Sequence, residues 1–158
     1  MTHLVVFQIE DQRFALNLSA VERVLPMVAV SALPNAPQVV LGAINVHGSI
    51  LPVVDIRRRL GIHARPYGSS THLVLARTPR RRVAVAADAV LGVTQQPIDN
   101  MVASCDVLPN LSDVAGIVPL EDGLLLVQDL DTLLSLDEEQ QLTHAIEAFD
   151  KVVDHAVA

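Results

Sequence analysis

An internal repeat is what most restricts the folds open to this chain. Phe14-Ala15-Leu16-Asn17-Leu18-Ser19-Ala20-Val21-Glu22-Arg23-Val24 matches Val83-Ala84-Val85-Ala86-Ala87-Asp88-Ala89-Val90-Leu91-Gly92-Val93. Leu33-Pro34-Asn35 recurs as Leu108-Pro109-Asn110, and Leu41-Gly42 as Ala115-Gly116. Leu51-Pro52-Val53-Val54-Asp55-Ile56 recurs as Leu125-Leu126-Val127-Gln128-Asp129-Leu130. Each copy reads as five or so short strands with a few helical turns, the makings of a small barrel that removes its edges by closure. Each copy, roughly 65–70 residues long, has a thin core, so the two are expected to pack together. The expected fold is all-β: two small barrels of about five strands each, at about 4–62 and 71–134, within one domain over 1–158. His63 to Ser70 is the expected joint. A chance likeness between Val-rich strands is the competing reading.

Local signals agree with that outline. Leu4–Ile9, Arg13–Leu18, Ser49–Val54, Thr71–Arg77 and Arg82–Ala87 have the apolar, β-branched composition of strands. Gly116–Leu120 and Leu124–Gln128 read as a hairpin about Glu121-Asp122-Gly123, because Asp-Gly favours a tight turn. Ser19 with Glu22 predicts a capped helical turn, with strand returning at Val24–Val30. Asp88 is expected to begin another helical turn before strand at Leu91–Thr94. Pro52, lacking a donor, belongs on an edge. Asp55 caps a short helix in which Ile56 and Leu60 share a face and which Gly61 ends, so Arg57, Arg58 and Arg59 should point mostly outward. Residues 99–112 lack any period and read as a long loop. A carboxy-terminal helix at about 137–156 follows from an Asp137/Gln140 capping box and a stripe running from Leu142 through Ile146 and Phe149 to Ala156. Ile146 and Phe149 are expected to dock it on the body.

Charge and motif content exclude several functions. Ten of the 11 basic residues are arginine, and the net charge is −7. That balance argues against a nucleic-acid face, which needs Lys and Arg along phosphates. The trios Arg57–Arg59 and Arg80–Arg82 read either as solvated surface or as local sites for an anionic partner. Downstream of Gly116 ten acidic residues stand against one basic, which polarises the surface. No run approaches the roughly 18 apolar residues of a membrane span, and the amino end lacks the features of a signal peptide. One cysteine, Cys105, excludes an intramolecular disulfide. These features predict a cytoplasmic protein. The histidines show no metal-ligand spacing, and no HExxH, CxxC or Gly-rich phosphate loop occurs. Asp55 and Asp129, equivalent in the repeat, read as helix caps rather than as a catalytic carboxylate pair. No enzymatic activity, metal or cofactor is expected. A small-barrel ligand or nucleic-acid binder is the alternative of a different class.

Leu33-Pro34-Asn35-Ala36-Pro37, the ordered run from Val40-Leu41-Gly42-Ala43-Ile44-Asn45-Val46-His47-Gly48 to Asp55-Ile56-Arg57-Arg58-Arg59-Leu60-Gly61, Asp88–Val93, and Gly116 with Leu124–Leu134 together resemble the CheW-type chemotaxis coupling family. The resemblance covers Leu4 to about Leu134. It implies two small five-stranded SH3-like barrels packed together with a hydrophobic junction. It implies a non-enzymatic adaptor of two-component signal transduction, cytoplasmic and at receptor arrays, touching the membrane only through receptors. The implied partners are the cytoplasmic tip of a methyl-accepting chemoreceptor, docked between the barrels, and the regulatory domain of a CheA-like histidine kinase, docked end to end. Similar adaptors serve type IV pilus twitching pathways, an alternative output. Carried onto this chain, the receptor-groove candidates are Val21, Arg23, Gly42, Ile44, Asn45, Val46, His47 and Gly48, with Arg57 and Arg58 as partner-surface candidates. Val21, Ile44 and Val46 read as core or as groove floor. Two positions depart from the family pattern: His47 replaces an arginine, and Arg23 replaces an acidic residue, so the family's acid–base pair cannot form.

Overall fold

The computed structural model describes residues 2–60, 68, 70–97, 114–130 and 132–157. β1 (Thr2–Ile9) and β2 (Gln12–Asn17) form a hairpin in which Ile9 faces Gln12 across a turn at Glu10 and Asp11. A 3-10 turn at Leu18–Ala20 leads into β3 (Val21–Pro26). β4 (Val40–Val46) and β5 (Ser49–Val54) make a second hairpin, followed by α1 (Ile56–Leu60). Next come β6 (His72–Arg77), β7 (Arg82–Ala87), β8 (Ala89–Gln96), β9 (Val114–Leu120), β10 (Gly123–Gln128) and α2 (Leu136–Val157).

The strands form two five-stranded sheets, ordered β8-β1-β2-β10-β9 and β3-β6-β7-β5-β4. The expected all-β class and strand number hold. Exchanging β1–β5 for β6–β10 turns one order into the other, so the repeat in sequence is a repeat in topology. The division at 4–62 and 71–134, however, does not separate the sheets. β1 and β2 join β8–β10, whereas β6 and β7 join β3–β5, so each copy lends two strands to the other. The cause lies in the central parallel pairs, β2 with β10 and β5 with β7. Parallel neighbours need a long crossover, and here each partner comes from the other copy. The chain changes sheet at the Leu18–Ala20 turn and at Asp88. The segment from 63 to 70, largely outside the described residues, leads from α1 to β6 of the same sheet.

Strand alternation sorts the apolar side chains into three clusters. Leu4, Ala15, Val118, Leu125 and Val127 lie on one face of the first sheet. Ile44, Val46, Leu51, Val53, Leu73, Leu75, Ala84 and Ala86 lie on one face of the second. The opposite faces meet in a larger shared cluster that includes the stacked pair Phe7 and Phe14, with Val54, Val74, Val83 and Val85. Burying both faces of both sheets explains the continuous apolar runs in β6 and β7. After β3 the chain returns to the far edge of its sheet, where Ser31 and Ala43 exchange backbone hydrogen bonds of 2.9 and 2.8 Å. Gly42 permits that approach, because a Cβ there would lie 2.3 Å from the Ser31 carbonyl oxygen.

α2 docks as the stripe predicts. Leu142 and Ala145 are buried in the shared cluster, and Ile146 and Phe149 pack against it. Its cap differs from the expected Asp137/Gln140 box. Ser135 and Glu138 form it instead: the Glu138 N–H donates to Ser135 Oγ, and the Ser135 N–H donates to Glu138 Oε1. Other local expectations also shift. Asn17, not Ser19, caps the 3-10 turn by accepting from the Ser19 N–H, and strand resumes at Val21. Asp88 sits in a bend rather than a helical turn. Pro52 lies in β5, between β4 and β7, rather than on an edge. It is tolerated because the ladder to β7 is made by Val53 and Val54, so no sheet bond needs the missing donor. The loop at 99–112 and Cys105 lie outside the described residues.

Candidate protein-docking site

The turn that carries the groove candidates Asn45, His47 and Gly48 is built as its residues dictate. Val46 pairs with Ser49, leaving His47 and Gly48 as a two-residue connection. Both have positive φ, 50° and 87°, which is what a hairpin turn matching strand twist requires. Asn45 Oδ1 accepts from the Gly48 N–H at 2.8 Å and holds the turn. Asn45, His47 and Gly48 are exposed. The neighbouring candidates differ. Ile44 and Val46 are only 4% and 7% exposed and belong to the second sheet's own cluster. Gly42 is buried beneath Ser31. Val21 is half-buried against the shared cluster. Arg23 is exposed.

The sheet brings a set of arginines to one corner. Arg77 faces Arg82 directly across β6 and β7, and Arg23 faces Leu75 across β3 and β6. Leu75 and Arg77 are two residues apart, so Arg23 and Arg77 share a face as diagonal neighbours. Glu22 lies at a bulge in β3 and accepts from Arg82 through both carboxylate oxygens, at 3.0 Å on Oε1 and 2.8 Å on Oε2. Arg77 reaches the same carboxylate only at 3.5 Å. The hydrogen bonds and charge of Arg82, aided by Arg77, hold Glu22 below the usual carboxylate range.

The arginine trios are not the free cationic patches that sequence permits. Arg57 does not point outward: its side chain is buried and donates to Glu10 and Asp88. It joins the sheets and does not offer a partner surface. Arg58 is exposed and donates to the Gln38 carbonyl at 3.0 Å. Arg59 pairs with Glu138 at 2.6 Å, and Arg81 with Glu139 at 2.8 Å. Both fasten the start of α2.

A second surface was hidden in a stretch that reads simply as strand. Leu91 and Val93, on edge strand β8, are 52% and 58% exposed. With Val6, Leu120 and Leu125 they line a groove of about 320 Å³ rimmed by Arg13 and Gln96. The β1–β8 pairing slips between Val6 and Phe7, and Gly92 has φ 130°. Local composition marked this segment as β; its edge position depended on which strand it joined. Exposed apolar residues on a sheet edge are characteristic of a protein contact.

Among the described residues no cluster of His, Cys, Asp and Glu is arranged to hold a metal ion, and no helix is long and apolar enough to cross a membrane. A family model described as the CheW-like domain matches residues 3–138. The chain is 27% identical over 139 residues to the chemotaxis protein CheW of Rhizobium meliloti, covering 87% of this chain and 90% of that one. It is 29% identical over 136 residues to the Thermotoga maritima chemotaxis protein CheW, covering 81% and 84%. Protein FrzA of Myxococcus xanthus is 30% identical over 103 residues, 65% of this chain and 61% of its own. The crystal structure of the scaffolding protein TtCheW from Thermoanaerobacter tengcongensis shares the fold, with a TM-score of 0.79 at 23% identity over 87% and 90% of the two chains.

Proposed function

The chain belongs to the CheW-like domain family, and from that premise we propose that it is a non-enzymatic scaffold coupling chemoreceptors to a CheA-type histidine kinase. The observation that carries this reading beyond family membership is the apolar groove at Leu91 and Val93 on an open sheet edge. A coupling protein needs docking faces that remain exposed after its own core is complete. Arg23, next to the half-buried Val21, and the His47–Gly48 turn are exposed as well, and we read them as a second such face. We assign it to the helical tip of the receptor, with Ile44 and Val46 supporting it from below. The kinase contact is made through its regulatory domain.

The test is binding of the full chain to two purified partners separately: a chemoreceptor cytoplasmic fragment and a kinase regulatory domain from the same organism. Each should associate without the other, and the three should co-purify. Leu91→Asp with Val93→Asp should remove one association and spare the other, with the thermal melt unchanged. Absence of binding to either partner at tens of micromolar, or retention of both by the folded double variant, overturns the reading.

A further inference from the structure

We infer that the corner formed by Arg23, Arg77 and Arg82 around Glu22 selects a helical protein segment presenting carboxylates one turn apart. The inference rests on the docking reading above and names the chemistry of that face. Two guanidiniums, those of Arg77 and Arg82, share the Glu22 carboxylate and a third, Arg23, lies on the same face, in a chain whose net charge is −7. Arg82 occupies Glu22 through two oxygens. Arg77 keeps one long contact, and its side chain remains 69% exposed. Arg23 is exposed and makes no ion pair among the described residues. Like charges directly opposite each other, as Arg77 and Arg82 are here, destabilise a sheet, so the corner retains positive charge that its own residues do not satisfy.

Diagonal positions such as Arg23 and Arg77 lie roughly 7–8 Å apart between backbones. Carboxylates three or four residues apart on a helix are separated by about 5–6 Å at Cβ, and flexible side chains span the difference. Nucleic acid fits less well. Its affinity grows with the number of phosphates neutralised, whereas this corner offers three arginines interrupted by Glu22. Leu25, next along β3 on the Arg23 face, packs against the second sheet's cluster and gives the segment an apolar neighbour.

The experiment titrates the full chain with a designed helical peptide of about 18 residues, long enough to hold a helix. It carries two glutamates one turn apart beside an apolar stripe; its twin carries glutamines. The glutamate peptide should bind about tenfold more tightly at low salt, and the advantage should shrink as salt rises. Arg23→Glu should abolish the preference, and a lysine-bearing peptide should then bind that variant better than the glutamate one. Arg23→Gln, a milder change, should lose the preference without reversing it. Equal affinity for the peptide pair, or a preference unaffected in folded R23E and R23Q, overturns the inference. The receptor fragment is titrated in parallel. If it binds wild type and R23E alike, the charge selection fails while the receptor reading stands. If it does not bind but the peptide preference holds, the receptor reading fails and the charge selection stands.

Discussion

Arg57, at the start of the helix that follows β5, donates through Nη2 to Asp88, the residue at which the chain leaves the second sheet for the first. The same guanidinium donates through Nη1 to Glu10 in the β1–β2 turn. The Glu10 N–H donates to Asp88 Oδ2 at 2.8 Å, and the Asp88 N–H donates to the Gln8 carbonyl at 2.9 Å. One buried arginine therefore ties together three segments of the chain at a crossing between sheets. Burial by itself lowers the Arg57 pKa, but hydrogen bonds to Asp88 and Glu10, and their charges, outweigh it and raise the value above that of an ordinary arginine.

Arg57→Met should cost roughly 2–4 kcal/mol of unfolding free energy. The figure lies somewhat below that for breaking a fully buried pair, because both carboxylates reach solvent. Arg57→Lys should restore less than half of it, since an ammonium cannot reproduce a planar fork between two carboxylates. Urea titrations measure both. A loss under about 0.5 kcal/mol for R57M would show that the network does not hold the sheets.

Gly42→Ala should destabilise by roughly 2–4 kcal/mol, because its Cβ meets a backbone carbonyl and not a movable side chain. The atoms concerned are Ser31 O at 2.3 Å and Val30 Cγ1 at 2.7 Å. Gly48→Ala meets open space but keeps φ at 87°, so it should cost only about 1 kcal/mol. Equal melting temperatures for the two variants would contradict this account.

Gln128 is 4% exposed, and neither atom of its amide has a hydrogen-bond partner among the described residues. Gln128→Leu removes two unsatisfied polar atoms at similar volume. Stability should rise by about 1 kcal/mol. A drop in the denaturant midpoint would show that the amide makes a compensating interaction in solution.

Acid should loosen α2. Burial raises the Glu138 pKa, but hydrogen bonds and charge from Arg59 and the bond from Ser135 prevail and hold it below the usual range. A carboxylate with a lowered folded-state pKa binds fewer protons folded than unfolded. Its stabilisation is therefore complete above about pH 4.3 and is lost as pH falls through the lowered value. Glu138→Gln should cost roughly 0.5–1.5 kcal/mol at pH 7, a modest figure because the pair is partly exposed. The gap from wild type should close in strong acid. Thermal melts followed by helix ellipticity from neutral pH downward give the comparison, and a gap independent of pH would refute it.

The repeat, the strand count, the Asp55 cap and the docking stripe of α2 were all legible in the sequence. Each depends on residues within a few positions of one another, where alternation, a capping oxygen or a glycine acts directly on the adjacent backbone. The capping residues at Asn17 and Ser135 were each misplaced by two positions, since several neighbouring side chains can serve an open N–H. Which strands pair was not legible. Antiparallel hairpins follow chain order, but the β2–β10 and β5–β7 parallel pairs join one copy to the other and leave β8, with Leu91 and Val93, on an open edge. Nor was the fate of the arginines. Arg57 looks like a solvated helical residue until folding brings Glu10 and Asp88, 47 and 31 positions away, against its guanidinium. Arg23, from the same composition class, meets no carboxylate among the described residues. Sequence neighbours determined the local elements; burial and charge pairing between distant segments decided which side chains became core and which stayed available to a partner, because desolvation and Coulomb energies depend on spatial neighbours.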